Sequence, residues 1–323
     1  MTEAVSALSG FAPAQQLAAE MPRLLGSQWT CGGHAAAVPI GVFSTLHALR
    51  TAYEVRKGVQ MGGRQPLFQE VFAMLTFALG GGILTALLLG RAQPWLEDSV
   101  TVPLYAAIYL LMARAPGDVV YRGLRRLSPV SDVFLASACG LMRGYGVTAA
   151  GVDLVRKTMK GQPVADSLVA WIVIGTVLGS GGGILDDVVQ FSRRSWTLRT
   201  PTMLRGAPLD VKVSFLATVG YIFTTHAWSF AEHAPGFPLA PLLDRALALV
   251  PHLTEQEAQL LAGLFCSAVL GTAAQVDAAR YAAAERAAAA RALAKKTDES
   301  VSDGESESVS GGESDSEDDV DSE

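Results

Sequence analysis

Two stretches of the chain repeat each other, Gly80-Gly81-Gly82-Ile83-Leu84 and, about a hundred residues on, Gly181-Gly182-Gly183-Ile184-Leu185. Gly179-Ser180 leads into the second copy and Asp186-Asp187 follows it. Each glycine in a helix interior costs about 1 kcal/mol against alanine, so a triplet used twice points to close backbone approach or to a broken helix. A broken helix at the middle of a bilayer would free carbonyl oxygens, for which a monovalent cation can trade part of its water shell. Ser180 would add a hydroxyl at that break. Asp186 and Asp187 lie one to two turns beyond Ser180, and with Asp118 they could concentrate cations at a mouth. Lys212 falls near the same end, where it could pair with an aspartate, occupy the pathway or reach lipid headgroups. The plainer alternatives are helix packing for the glycines and headgroup contact for the charges. This is chemistry of passage, not of bond making. His34, His47, His226, His233 and His252 have no metal spacing, and no nucleophile carries a local signature, so neither an enzyme nor a metal site is expected.

Long apolar elements must hold these residues. Half of the 323 residues are hydrophobic, 17% are charged and the mean hydropathy is +0.30, too apolar for an ordinary soluble domain. Seven candidate spans follow in order: Ala35 to Tyr53, interrupted by Pro39, His47 and Arg50; Leu67 to Gly90; Val100 to Ala115; Ser131 to Gly151; Ser167 to Phe191; Val211 to Phe230; and Gln256 to Ala274. Arg143 falls deep in the fourth, where a charge costs at least a few kcal/mol, so an ion-paired or functional role is expected. Cys31, Cys139 and Cys266 are far apart and read as structural.

Seven is three plus three plus one, and the glycine triplet sits in the second helix of each three. An odd number of crossings per unit makes the second copy enter from the opposite side, giving inverted repeats. The expected fold is therefore an all-α integral membrane protein with a glycine-broken second helix in each repeat. Arg56, Lys57, Arg122, Arg125, Arg126, Arg194 and Arg199 would share one side with the C-terminus, which the positive-inside rule makes cytosolic, leaving the N-terminus lumenal. The expected organisation is a lumenal segment 1–30, a membrane domain 31–277, an Ala/Arg-rich cytosolic helix 278–296 and a disordered acidic, Ser-rich tail 297–323. Ser302, Ser306, Ser314 and Ser316 adjoin acidic residues of the kind that acid-directed kinases prefer. The net charge of -6 comes from that tail and does not point to nucleic acid. Inverted repeats also serve secondary transporters of small solutes, the alternative to a channel; a scaffold with an acidic recruiting tail is the third reading.

The plan and its motifs resemble the trimeric intracellular cation channels and their bacterial relatives. Phe72-Ala73-Met74-Leu75 through Ile83 to Gly90 is similar to that family's second helix, Pro116-Gly117-Asp118-Val119-Val120-Tyr121 to the end of its third, Gly179-Ser180-Gly181 to a Gly-Ser-Gly in its fifth, and Lys212-Val213-Ser214 to a Lys-x-Ser opening its sixth. The resemblance implies a homotrimer in an intracellular membrane such as the endoplasmic reticulum, with one pathway per subunit. Potassium would be the permeant species, offsetting charge when calcium leaves a store, and no cofactor is implied. Gly80, Gly81, Gly82, Gly179, Ser180, Gly181, Gly182 and Gly183 would line the narrowest part, with Lys212 and Ser214 near the mouth. Animal members hold a phosphoinositide with two basic residues of helix four. Here Cys139-Gly140-Leu141-Met142-Arg143 keeps only Arg143 as the lipid-binding residue, and one cation grips a multiply charged phosphate less well than two.

Overall fold

The computed structural model describes residues 12–31, 38–62, 65–191, 194–233 and 236–308. Helix α1 (Ala12–Leu25) leads into a two-stranded antiparallel ribbon, β1 (Gln28–Cys31) with β2 (Val38–Gly41), in which Gln28 pairs with Gly41 and Cys31 with Val38. Then follow α2 (Val42–Gly62), α3 (Leu67–Leu89), α4 (Thr101–Arg114), the short α5 (Val119–Arg126), α6 (Val130–Thr158), α7 (Leu168–Val189), α8 (Leu209–Thr224), the short α9 (Ala240–Leu247) and α10 (Glu255–Ser308). The last part of α6, Gly146–Thr158, winds as a π-helix.

A helix thus occupies each of the seven expected stretches, with differences. The first begins at Val42 and not near Ala35, because Val38–Gly41 is committed to the ribbon, so the fold is not purely helical. Four helices are long and apolar enough to cross a bilayer, Leu67–Leu89, Val130–Thr158, Leu168–Val189 and Glu255–Ala284; Thr101–Arg114 is apolar but shorter. Helix α2 carries Arg50, Glu54, Arg56 and Lys57, which keep it below that standard, and α8, at 16 residues, spans only about 24 Å. Helix α10 continues through Ser308, so residues 297–308 are helical where a disordered tail was expected; 309–323 lie outside the described residues.

The expected helix breaks are absent. Helices α3 and α7 run through their glycine triplets without interruption. Helix α3 ends at Gly90, in the left-handed region at φ 61°, and α7 begins where the Ser167 hydroxyl accepts from the Ala170 amide.

The chain divides into a unit ending at Gln275 and a second beginning at Val276, which is the remainder of α10. In the first unit α7 packs against α3, α6 and α8, while α2 packs against α3, α4 and α6. Two cores result. One joins Tyr53, Met74, Tyr105, Tyr109, Met112 and Tyr121 from α2 to α5. The other joins Val152, Trp171, Ile174, Tyr221, Ile222 and Trp228 around α6, α7 and α8. Each buries a tyrosine hydroxyl that donates to a carboxylate, Tyr109 to Glu70 at 2.9 Å and Tyr221 to Asp153 at 2.8 Å, so neither polar atom is left without a partner. Leu87, Leu111, Phe134 and Val169 remain exposed on the helices, as side chains facing hydrocarbon would be.

Candidate functional site

The glycine triplets meet each other. A Cβ placed on Gly80 would come 2.7 Å from the Gly182 Cα, and one on Gly181 would come 2.6 Å from the Gly81 Cα. A Cβ on Gly81 would overlap the Leu178 carbonyl, and one on Gly182 the Phe77 carbonyl. Exchange the two copies and each contact maps onto its partner, so α3 and α7 cross about a local two-fold axis. No atom fits between the helices there, and this is what the first two glycines of each triplet provide. The third glycines differ. Gly82 has open space where its side chain would be, and Gly183 has only an Asp210 oxygen at 3.7 Å.

A second set of close approaches joins α7 to α8. Gly175, Gly179 and Gly183 recur every four residues along one face of α7, and each would-be Cβ points at Thr218, Ser214 and Asp210 respectively, themselves four apart on α8. The two rows run antiparallel, setting a hydroxyl, a hydroxyl and a carboxylate against bare backbone. Thr218 donates to the Ser214 carbonyl at 2.7 Å, whereas the Ser214 hydroxyl is fully buried without a hydrogen-bond partner. Asp210 is ion-paired with Arg143 of α6, so the arginine in the fourth span has a carboxylate partner. Ser180 faces away from this seam and donates to the Thr176 carbonyl at 2.6 Å. Lys212 lies on the exposed face of α8, two residues from Ser214 and so on the opposite side of the helix.

Beside the crossing, toward the C-terminal end of α7, lies a cavity of about 90 Å³ lined by Glu54, Val55, Ala73, Phe77, Asp186 and Phe191. It sets a carboxylate of α2 and one of α7 in a largely apolar wall. Arg50 approaches Glu54 at 3.7 Å. Nearby, His47 faces the Ala78 carbonyl at 3.3 Å and the Cys139 sulfur at 3.6 Å. Of the three aspartates read as a cation-attracting mouth, Asp186 lines this cavity. Asp187 accepts from the Thr202 hydroxyl at 2.7 Å and the Met203 amide at 3.1 Å, with Arg199 at 3.6 Å, so it secures the connection after α7. Asp118 forms an ion pair with Arg56 at 2.8 Å. Glu54 and Asp210 were not foreseen. Glu54 fell one residue beyond the expected first span, Ala35 to Tyr53, and Asp210 was visible only through the four-residue spacing it shares with Ser214 and Thr218.

Comparison with known proteins agrees with this architecture. The family model for TRIC channels matches residues 49–235, from α2 to beyond α8. Trimeric intracellular cation channel type B of Xenopus tropicalis is 27% identical over 181 residues, which is 55% of this chain and 60% of that protein. Its namesake from Danio rerio is 28% identical over 149 residues, covering 46% and 48%. The chain therefore spans between 48% and 60% of the length of these curated relatives. A solved structure of a TRIC counter-ion channel, described for its activity in calcium release, superposes with a TM-score of 0.56 at 17% identity, over 86% of this chain and 100% of the other, a likeness of fold. With the family model matching more than half of its length, the chain belongs to the TRIC channel family.

Proposed function

We propose that this protein is a monovalent cation channel of an intracellular store membrane, assembled as a homotrimer and passing potassium as counter-ion when calcium is released. The match to the TRIC channel model over residues 49–235 carries the reading. In it, the seven helices α2, α3, α4, α6, α7, α8 and α10 all cross the membrane as two inverted triplets plus one, with the N-terminus lumenal and the C-terminus cytosolic. The local two-fold between α3 and α7 supports that arrangement, since inverted repeats meet on such an axis. The crossing itself is closed by backbone contact, so the path runs beside it, through the cavity where Glu54 and Asp186 face apolar walls. Carboxylates in a low-dielectric vestibule raise the local cation concentration. Gly82 and Gly183, the glycines of the triplets with room at their Cα atoms, do not line that cavity and would border the path where it continues past the crossing. The Arg143–Asp210 pair stands at the same end of α7, and a lipid phosphate would have to compete with Asp210 for the one arginine.

Current through a planar bilayer holding the purified protein tests this. Under a potassium chloride gradient, discrete steps reversing near the potassium potential are expected. In the double variant E54Q/D186N the steps should shrink at low salt and approach the parent at high salt, where screening cancels the field of the carboxylates. A silent bilayer would overturn the channel reading, and an unchanged conductance at low salt would move the path away from this cavity.

A further inference from the structure

Beyond Phe191, which also lines the cavity, the connection between α7 and α8 carries a surface that the proposed path leaves unused. Residues 191–209 contain Arg193, Arg194, Arg199 and Arg205 and no acidic residue. Phe191 of this connection packs edge-on to Trp196 at 5.1 Å and to Phe72 of α3 at 5.9 Å, and Trp196 lies 5.4 Å from Phe72. The cluster is only half covered. Trp196 is 41% exposed and Leu198 80%, and Phe68, one turn before Phe72 on the same face of α3, is 82% exposed. The described part of the connection, from Arg194 onward, is also held in place from both sides. Gln69 donates to the Arg194 carbonyl at 2.8 Å, and Asp187 holds Thr202, Met203 and Arg199. Arg194 and Arg205 are exposed, and among the described residues neither side chain has an ion-pair partner.

From this we infer that residues 194–209 of the connection, with Phe68, Phe72 and Phe191, form a seat for anionic lipid. Trp196, Leu198 and Phe68 would enter the boundary between headgroups and acyl chains, and the guanidinium groups of Arg194 and Arg205 would take the headgroup phosphates and carboxylates. Three observations favour a lipid surface over a soluble partner. The apolar cluster adjoins the first turns of α3 and the last of α7, two helices apolar enough to span a bilayer, which is where amphipathic aromatic rings collect. Exposed tryptophan and leucine between arginines, without acids, is the composition of interfacial segments. And the charge is of one sign, complementary to an anionic leaflet, where each cation is worth about a fivefold preference. The proposal rests on the chain's place in a membrane and does not depend on what the protein conducts.

Fluorescence quenching by brominated lipid reads this contact directly. The full chain and its W196F variant are reconstituted in phosphatidylcholine vesicles containing a minority of either brominated phosphatidylserine or brominated phosphatidylcholine; the emission lost in W196F isolates Trp196 from the other tryptophans. Severalfold stronger quenching of that component by brominated phosphatidylserine is expected, weakening as salt rises. In R194Q/R205Q the two lipids should quench equally, while quenching by brominated phosphatidylcholine stays at the parent level and shows that Trp196 has kept its depth. Equal quenching by the two lipids in the parent chain would overturn the proposal, as would a phosphatidylserine preference that survives in R194Q/R205Q.

Discussion

The two copies of the repeat are alike where they touch each other and unlike where each touches its own third helix. In the register that aligns Gly80 with Gly181, the contacts across the α3–α7 crossing are reciprocal. On the outer faces the same register places Met74 opposite Gly175 and Ala78 opposite Gly179. Met74 is fully buried in a tyrosine- and methionine-rich core with α4, whereas Gly175 and Gly179 let α8 bring Thr218 and Ser214 against the α7 backbone. One copy is filled with side-chain volume, the other with close backbone approach and oxygen atoms. A shared axis constrains both copies at once, because a change in either disturbs the same contact. The outer faces carry no such constraint, and there the copies differ: α3 sets Met74 and the Glu70–Tyr109 hydrogen bond against α4, whereas α7 sets bare backbone against the hydroxyls of α8.

The largest expected effects fall on the shared crossing. In Gly81→Ala the new methyl would overlap the Leu178 carbonyl, and in Gly182→Ala the Phe77 carbonyl, both backbone atoms that no side-chain rotation can move away. Each substitution should destabilise the membrane domain by about 3 kcal/mol or more, at the upper end of overpacking costs, and by similar amounts because the contacts are equivalent. Thermal unfolding in detergent, followed by gel filtration of the soluble fraction, measures this. A large loss for one glycine and none for the other would break the two-fold.

Much of this arrangement could be read from the residues, and the exceptions have physical causes. The duplicated triplet placed both copies in second helices and implied that they meet. It did not say whether glycine there breaks a helix or brings two helices together, since both uses ask for the same residue at the same cost. The structure answers through Leu178 and Phe77, whose carbonyls occupy the space that side chains would need. The aspartates were harder. Asp118, Asp186 and Asp187 are alike in sequence, yet one meets Arg56, one lines a cavity and one holds a connecting segment. Which partner a carboxylate finds depends on elements more than ten residues away, and no local spacing records it. The ribbon that displaced the start of α2 was hidden for another reason: Ala35 to Gly41 is a short apolar run that suits a strand as well as a helix, so the local hairpin of Gln28–Cys31 with Val38–Gly41 had no pattern to set it apart.

The outer seam of the second copy offers a sharper comparison of intermediate size. Gly179→Ala would press on the Ser214 hydroxyl and the Val147 side chain, which can yield by rotation, and on the Ser214 Cβ at 2.9 Å, which cannot, so a loss of about 2 kcal/mol is expected. Ser214→Ala removes a buried hydroxyl that has no hydrogen-bond partner and should be neutral or slightly stabilising. The double variant should then recover part of the loss, with a coupling of about 1 kcal/mol in a double-mutant cycle. Ala78→Gly in the first copy should cost somewhat more than the roughly 1 kcal/mol of helix propensity, because the Ala78 methyl also packs against the core around Tyr53 and Tyr109. Strict additivity of Gly179→Ala and Ser214→Ala would mean that the seam is not held by this contact.

The third glycines carry the smallest effect on stability and the clearest one on passage. Gly82→Ala meets nothing within 4 Å, and Gly183→Ala meets only the Asp210 carboxylate at an ordinary contact distance. Packing therefore opposes neither change, and the gain in helix propensity should leave both proteins as stable as the parent or up to about 1 kcal/mol more so. If the path continues from the cavity past the crossing along these glycines, each methyl protrudes into it and single-channel conductance should fall while the melting temperature holds or rises. Gly183 adjoins the Arg143–Asp210 pair, so its variant should also change the voltage or lipid dependence of opening, which Gly82→Ala leaves alone. Unchanged conductance in both, at unchanged stability, would mean that the open space at these glycines faces hydrocarbon and that their repetition belongs to the packing of the crossing alone.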